Sequence, residues 1–211
     1  MKVVAINGSP KKEGNTAHVL KALGEHFTKN EIEFEIIHVG DKTIRGCIAC
    51  GTCAKTKDEK CSLSTDIVND SIQAMKNADG IVIGSPVYFS GIAGTMKSFL
   101  DRAFYVSGSN GGLFRHKVGA AVTAVRRSGG SSTFDSLNHY LTYSEMILAT
   151  GNYWNIAHGR LPGEVLQDLE GMQTLEVLTN NFIWLLKMKN ASLNTINEPE
   201  RIKKVSTNFI R

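Results

Sequence analysis

No apolar run in the chain reaches membrane-spanning length, so a helical membrane protein is excluded as an expectation. Cysteine is scarce and confined: four residues, all between Cys47 and Cys61, which argues against a disulfide framework spread over a secreted fold. Such clustering favours a local metal or redox site. Charge of one sign is also lacking, since 24 Lys and Arg against 20 Asp and Glu leave a formal net charge of +4 that is scattered along the chain. Neither nucleic acid nor a membrane is an expected partner. Met1-Lys2 runs straight into an apolar strand with no signal-peptide pattern, so a cytoplasmic protein is expected. Two nucleotide motifs are missing as well. A Walker A loop needs Lys then Ser or Thr directly after its second glycine, but Asn15 follows Gly14, and Gly8 to Gly14 does not supply Gly-x-Gly-x-x-Gly.

What is present is an alternation of strands and helices. Lys2 to Asn7 is a near-continuous apolar run with β-branched residues, which suits a buried parallel strand. Asn15 or Thr16 then caps a helix through Val19, Leu20, Leu23 and Phe27. Further strands are expected at Glu33 to Val39, at a sheet edge and ending on His38, and at Gly80 to Ser85, Val118 to Val125 and Met146 to Leu148. Helices are expected from Thr65 or Asp66 through Met75, from Ile92 to Phe104, through Phe134 to Leu141, and from Met172 to Met188. Lys97 and Asp101, four residues apart, read as a local ion pair. The pattern predicts an α/β fold, a doubly wound five-stranded parallel sheet with helices on both faces. Residues 1–188 form one domain, and 189–211 a polar tail, loose or packed on a neighbouring subunit.

Three loops carry the candidate chemistry. Gly8 to Thr16 joins a strand to a helix N-terminus, where free backbone N–H groups and the positive end of the helix dipole can receive a phosphate. Ser9, Asn15 and Thr16 add side-chain donors. Ser85-Pro86-Val87-Tyr88-Phe89-Ser90-Gly91 sets two aromatics among small residues, where a planar ring can lie close to the backbone. Arg126-Arg127-Ser128-Gly129-Gly130 brings cations and backbone N–H groups. In open α/β sheets ligands lie beyond the carboxyl ends of the strands, and these loops follow the first, third and fourth.

Their wording, GSPKKEGNT, GSPVYFSGIAGTMKSFLDR and VRRSGG, resembles the flavodoxin-like NAD(P)H-dependent FMN reductases, from about Val3 to Leu186. The resemblance implies a flavodoxin-like sheet with the FMN phosphate on Ser9, Lys11, Gly14, Asn15, Thr16 and Ala17. It implies the isoalloxazine against Pro86, Val87, Tyr88, Phe89, Ser90 and Gly91, and against Arg126, Arg127, Ser128, Gly129 and Gly130. Positive charge there would stabilise an anionic reduced flavin. NAD(P)H is then the reductant and a quinone, flavin or other small molecule the acceptor. No protein acid or base is obligatory for the hydride step, so no catalytic residue is assigned. A homodimer or homotetramer is implied too, and Tyr153, Trp154 and His158 in Gly151 to Gly159 either complete a neighbour's site or pack in the core.

The cysteines read Cys47-x2-Cys50-x2-Cys53-x7-Cys61, a spacing that can wrap a cubane. It resembles the compact motif of the iron-sulfur flavoproteins, in which a [4Fe-4S] cluster lies near FMN. Reduced thiols or a disulfide, and structural zinc, stay open beside that reading. If a cluster is present, the alternative to a reductase is an electron carrier served by ferredoxin. A regulatory binding module on the same scaffold is the non-redox reading.

Overall fold

The computed structural model describes residues 1–210. Its elements are β1 (Lys2–Asn7), α1 (Asn15–Lys29), β2 (Glu33–His38), α2 (Thr52–Thr56), α3 (Val68–Asn77), β3 (Gly80–Tyr88), β4 (Gly91–Ile92), α4 (Gly94–Ser109), β5 (Val118–Val125), α5 (Gly130–Tyr143), β6 (Ile147–Leu148), β7 (Ile156–His158) and α6 (Leu169–Ser192), with a 3-10 turn at Glu164–Gln167. The parallel sheet runs β2-β1-β3-β5-β6, with β7 also on β5 and β4 antiparallel to β3. Strand order reverses between β1 and β3, which opens a crevice at their carboxyl ends.

Side chains alternate across each strand, so β1, β3 and β5 feed two cores. Val4, Ile6, Ile81, Ile83 and Ala121 pack towards α3, α4 and α5. Val3, Ala5, Val82, Ala120 and Val122 pack towards α1 and α6. Phe27 anchors the second core, stacked on Phe34 at 5.3 Å and edge-on to Phe182 at 5.2 Å. β2 takes the sheet edge, as its partial alternation predicts.

Several expectations are corrected. The sheet has seven strands rather than five. The place of the fifth is filled in two pieces: β6 pairs with Val118 and Gly119, and β7 with Thr123 to Val125. Gly151 to Gly159 is therefore a loop that ends in the short strand β7, with Tyr153 more than half-exposed and Trp154 half-exposed rather than in a core. Ile92 belongs to the short hairpin strand β4, so the following helix starts at Gly94. The last helix runs from Leu169 to Ser192, beyond both expected ends. Neither Asn15 nor Thr16 caps α1. Gly14, in extended backbone, takes that position and has no side chain to cap with, while Asn15 begins the helix and its carboxamide accepts from Gly163 N.

Candidate active site

β1 ends in a tightly built turn. Ser9 N donates to Asn7 Oδ1 at 3.0 Å, Lys11 N to Ser9 Oγ at 3.2 Å, and Gly14 N to Lys11 O at 3.1 Å. His38 Nε2 lies 2.7 Å from Ser9 O, tying the turn to β2. Gly40 backs it so closely that a Cβ there would lie 2.1 Å from Ser9 O. Gly84 of β3 likewise lets Thr16 approach, with a Cβ at that glycine only 3.2 Å from Thr16 Cγ2. Asn15 Oδ1 accepts from Gly163 N at 2.9 Å, stitching the turn to the segment before α6. Ser9, Thr16 and Ala17 are buried, and Lys11 is exposed.

Three buried side-chain oxygens lack a partner among the described residues, on Thr16, Thr123 and Asn155, and Thr16 Oγ1 is the one at this turn. It is buried and makes no hydrogen bond, at a helix N-terminus with no side-chain cap. An unanswered buried hydroxyl costs on the order of 1–3 kcal/mol, which an accepting ligand oxygen removes. Ser9 Oγ, Thr16 Oγ1, the Lys11 ammonium and the first amides of α1 thus fit a phosphate monoester.

The second and third loops are brought together. Val87 and Tyr88 pair with Ile92 and Gly91 in a hairpin whose two central residues, Phe89 and Ser90, both sit at positive φ (49° and 58°). That conformation suits Asn-Gly and strains a Phe-Ser pair. Phe89 stands wholly exposed and Tyr88 half-exposed. Gly129, at φ 84°, leans on this hairpin, since a Cβ on it would come 2.7 Å from Ser90 Oγ. Ser132 Oγ donates to Ser90 O at 2.7 Å. Pro86 and Val87 are half-buried on β3 and Gly91 half-buried on β4, while Arg126, Arg127 and Ser128 are exposed and Gly130 is buried at the start of α5. Arg126 and Arg127 form no ion pair among the described residues. The loops of β1, β3 and β5 therefore leave the same carboxyl edge of the sheet, with Arg126 and Arg127 exposed beside them.

The cysteines lie beside α4. Cys47 and Cys50 are exposed, Cys53 is buried on α2, and Cys61 is partly buried. Cys50 Sγ is 3.2 Å from Ser62 Oγ, and hydrogen bonds from Ser62 and Thr52 bring its pKa down to about 7. Burial pushes the Cys53 thiol up, and the Cys61 and Cys50 charges push it the same way. Cys61 packs against the same apolar core that buries Cys53. Arg102 Nε donates to Cys61 Sγ at 3.3 Å. The thiols suit an iron-sulfur cluster chemically, yet among the described residues no three His, Cys, Asp or Glu side chains are gathered closely enough to share a metal ion.

Sequence reading missed His158 and Asp168 as a pair. Asp168 Oδ2 accepts from His158 N at 2.6 Å and faces Nδ1 at 3.3 Å, while Oδ1 accepts from Gly171 N at 3.0 Å as the cap of α6. Partial burial opposes its ionisation, but these amides and the imidazole hold Asp168 below the usual carboxylate range. The only signal was an Asp just before a long helical run, which reads equally as an ordinary cap.

A doubly wound sheet with a phosphate-type turn after β1 and a ring-type loop after β3 defines a flavodoxin-like protein. Matching the sequence profile of NADPH-dependent FMN reductases over residues 1–160, the chain belongs to that family and is a flavin-dependent oxidoreductase. It is 33% identical over 195 residues to an iron-sulfur flavoprotein of Methanocaldococcus jannaschii, covering 89% of this chain and 98% of that one. An iron-sulfur flavoprotein of Methanosarcina thermophila is 28% identical over 183 residues, 83% of this chain and 90% of that one. Among solved structures, a WrbA-like flavodoxin from Agrobacterium tumefaciens superposes with a TM-score of 0.57 at 14% identity, over 89% of this chain and 97% of that one. No helix among the described residues is long and apolar enough to cross a membrane.

Proposed function

We propose that this chain binds FMN in the crevice, takes reducing equivalents from NAD(P)H and passes electrons to a small acceptor such as a quinone or a free flavin. The observation that carries the reading is the buried, unpartnered Thr16 Oγ1 at the uncapped start of α1. Ser9, Lys11, Gly14, Asn15, Thr16 and Ala17 hold the phosphate, through N–H and O–H donors and one cation. Pro86 to Gly91 lie along the ring. Arg126 to Gly130 face its pyrimidine edge, where positive charge favours the anionic reduced form. FMN, when bound, supplies hydride acceptance and onward electron transfer; the chain's own part is to bind, orient and polarise. The strained Phe89-Ser90 turn holds an aromatic face out where a planar ring, or a second subunit, can cover it.

The test is a comparison of FMN with riboflavin, which lacks the phosphate. FMN should bind far more tightly, and Thr16→Val should weaken FMN by about ten- to a hundredfold, as for one hydrogen bond to a charged group, without a matching change for riboflavin. Equal affinities for the two flavins would contradict the reading.

A second reading is an iron-sulfur flavoprotein electron carrier, with Cys47, Cys50, Cys53 and Cys61 holding a [4Fe-4S] cluster served by ferredoxin. It is favoured by the Cys-x2-Cys-x2-Cys spacing, by Cys53 and Cys61 packing on one apolar core, and by what the two archaeal relatives are called. Iron and acid-labile sulfide assays on protein purified without oxygen decide it, with about four irons per chain expected of four thiolates. Free clustered thiols and NAD(P)H chemistry suit the reducing cytoplasm. We also read residues 1–188 as the FMN-binding domain of a homodimer or homotetramer and the tail as an arm for a second copy. Ile202, Val205 and Phe209 of that tail are about nine-tenths exposed.

A further inference from the structure

A cleft of about 460 Å³ opens beside the crevice, between the β5–α5 loop and the edge strand β7. Its walls include Arg127, Gly130, Tyr153, Trp154, His158 and Asp168. Tyr153 and Trp154 meet edge to face at 4.4 Å and leave about half of their surfaces open. His158 is in register with Val125, the residue before the third loop. Its neighbour Gly159 packs on the phosphate turn, since a Cβ there would come 2.8 Å from Asn15 Nδ2. The imidazole therefore stands between the first and third loops, at the border of the crevice.

Asp168 fixes that ring. Its Oδ2 bonds both the backbone N–H and the Nδ1 side of His158, so Nδ1 carries the proton facing the carboxylate. No protein group bonds Nε2 among the described residues, and the side chain is half-exposed, so this nitrogen is free for a ligand and for water. An aromatic wall, a cation and a carboxylate-backed imidazole suit a flat molecule with polar oxygens at its rim.

We infer that this cleft is the acceptor subsite, that it takes a planar quinone-type carbonyl compound, and that His158 is the acid that protonates it. The inference rests on the FMN oxidoreductase reading. Reduction of a quinone to a quinol adds two electrons and two protons. Bound reduced FMN would supply hydride, and with it both electrons and one hydrogen. The second proton comes from the His158 imidazolium: its Nε2–H bond breaks, an O–H bond forms on the acceptor oxygen, and Asp168 stays ionised. Water reaching the open side of the ring restores the proton. Asp168 is a positioning residue that holds the tautomer and orientation of the ring.

Two readouts test this on the FMN-loaded protein. The first is binding: 1,4-naphthoquinone should quench tryptophan fluorescence saturably in the wild type and in Trp184→Leu, and lose that quenching in Trp154→Leu. The second is rate, with the flavin reduced by dithionite so that NAD(P)H plays no part. His158→Gln should lower the ratio of the naphthoquinone rate to the ferricyanide rate about tenfold or more, because ferricyanide takes electrons without a proton. Asp168→Asn, which loses the carboxylate that orients the ring through Nδ1, should lower the same ratio, while the ferricyanide rate stays near that of the wild type. An unchanged ratio in His158→Gln, or quenching that follows Trp184, would overturn the subsite. So would displacement of the naphthoquinone by NADP⁺ in simple competition, which would make the cleft a dinucleotide site. A wild type that takes up no FMN would instead overturn the reading beneath it, and the acid role with it.

Discussion

A guanidinium with no exposed surface needs every N–H answered, and Arg102 of α4 has that. Nε donates to Cys61 Sγ, one terminal nitrogen to Arg45 O and Asp66 Oδ2, and the other to Leu63 O at 2.6 Å and Asp66 Oδ1 at 3.1 Å. Burial alone would lower its pKa, but Asp66 and Cys61 reverse this and keep it charged. The residue thereby pins both ends of the cysteine segment to the helix that follows the ring loop. Arg102→Met leaves the Asp66 carboxylate buried without its partner, so we expect a loss of about 3–5 kcal/mol in urea unfolding. A loss below about 1 kcal/mol would mean the clamp is not structural. None of this was readable beforehand, because the partners lie 36 to 57 residues away in sequence. Thr16 and Asn15 show the same limit. Their suitability near a helix start was legible, but not that Asn15 would turn to Gly163 and leave the cap to Gly14.

At the scale of elements, the long apolar strands were legible because burial on both faces leaves a continuous run, as in β1, β3 and β5. β7 was not, since three residues flanked by Tyr-Trp and Gly carry too little pattern to separate a strand from a loop. The N-terminus of α6 joins β7 through Asp168, and this contact titrates. A carboxyl whose folded pKa lies below its ordinary 3.8 adds stability that is present above that value. The contribution is lost as pH falls through the lower, folded value. Wild type should therefore exceed Asp168→Ala by about 1 kcal/mol or more near neutrality, with the gap closing under acid. Urea midpoints taken as pH is lowered below 3.8 check it; a gap that stays constant with pH would show that the carboxylate charge adds nothing.

For the whole molecule, the strand order places the loops of β1, β3 and β5 along one edge, which is why three short sequence signals converge on one crevice. Their common address was foreseeable from the alternation of strands and helices. The full exposure of Phe89 was not foreseeable, because it follows from a strained two-residue turn that the local sequence does not announce. The most direct measurement is the visible spectrum of the chain reconstituted with FMN, separated from free flavin and mixed with NADPH without oxygen. We expect about one FMN retained per chain, bleached on adding NADPH and restored by a quinone. A chain that retains no flavin, or whose bound flavin NADPH does not bleach, would contradict an FMN reductase built on this crevice.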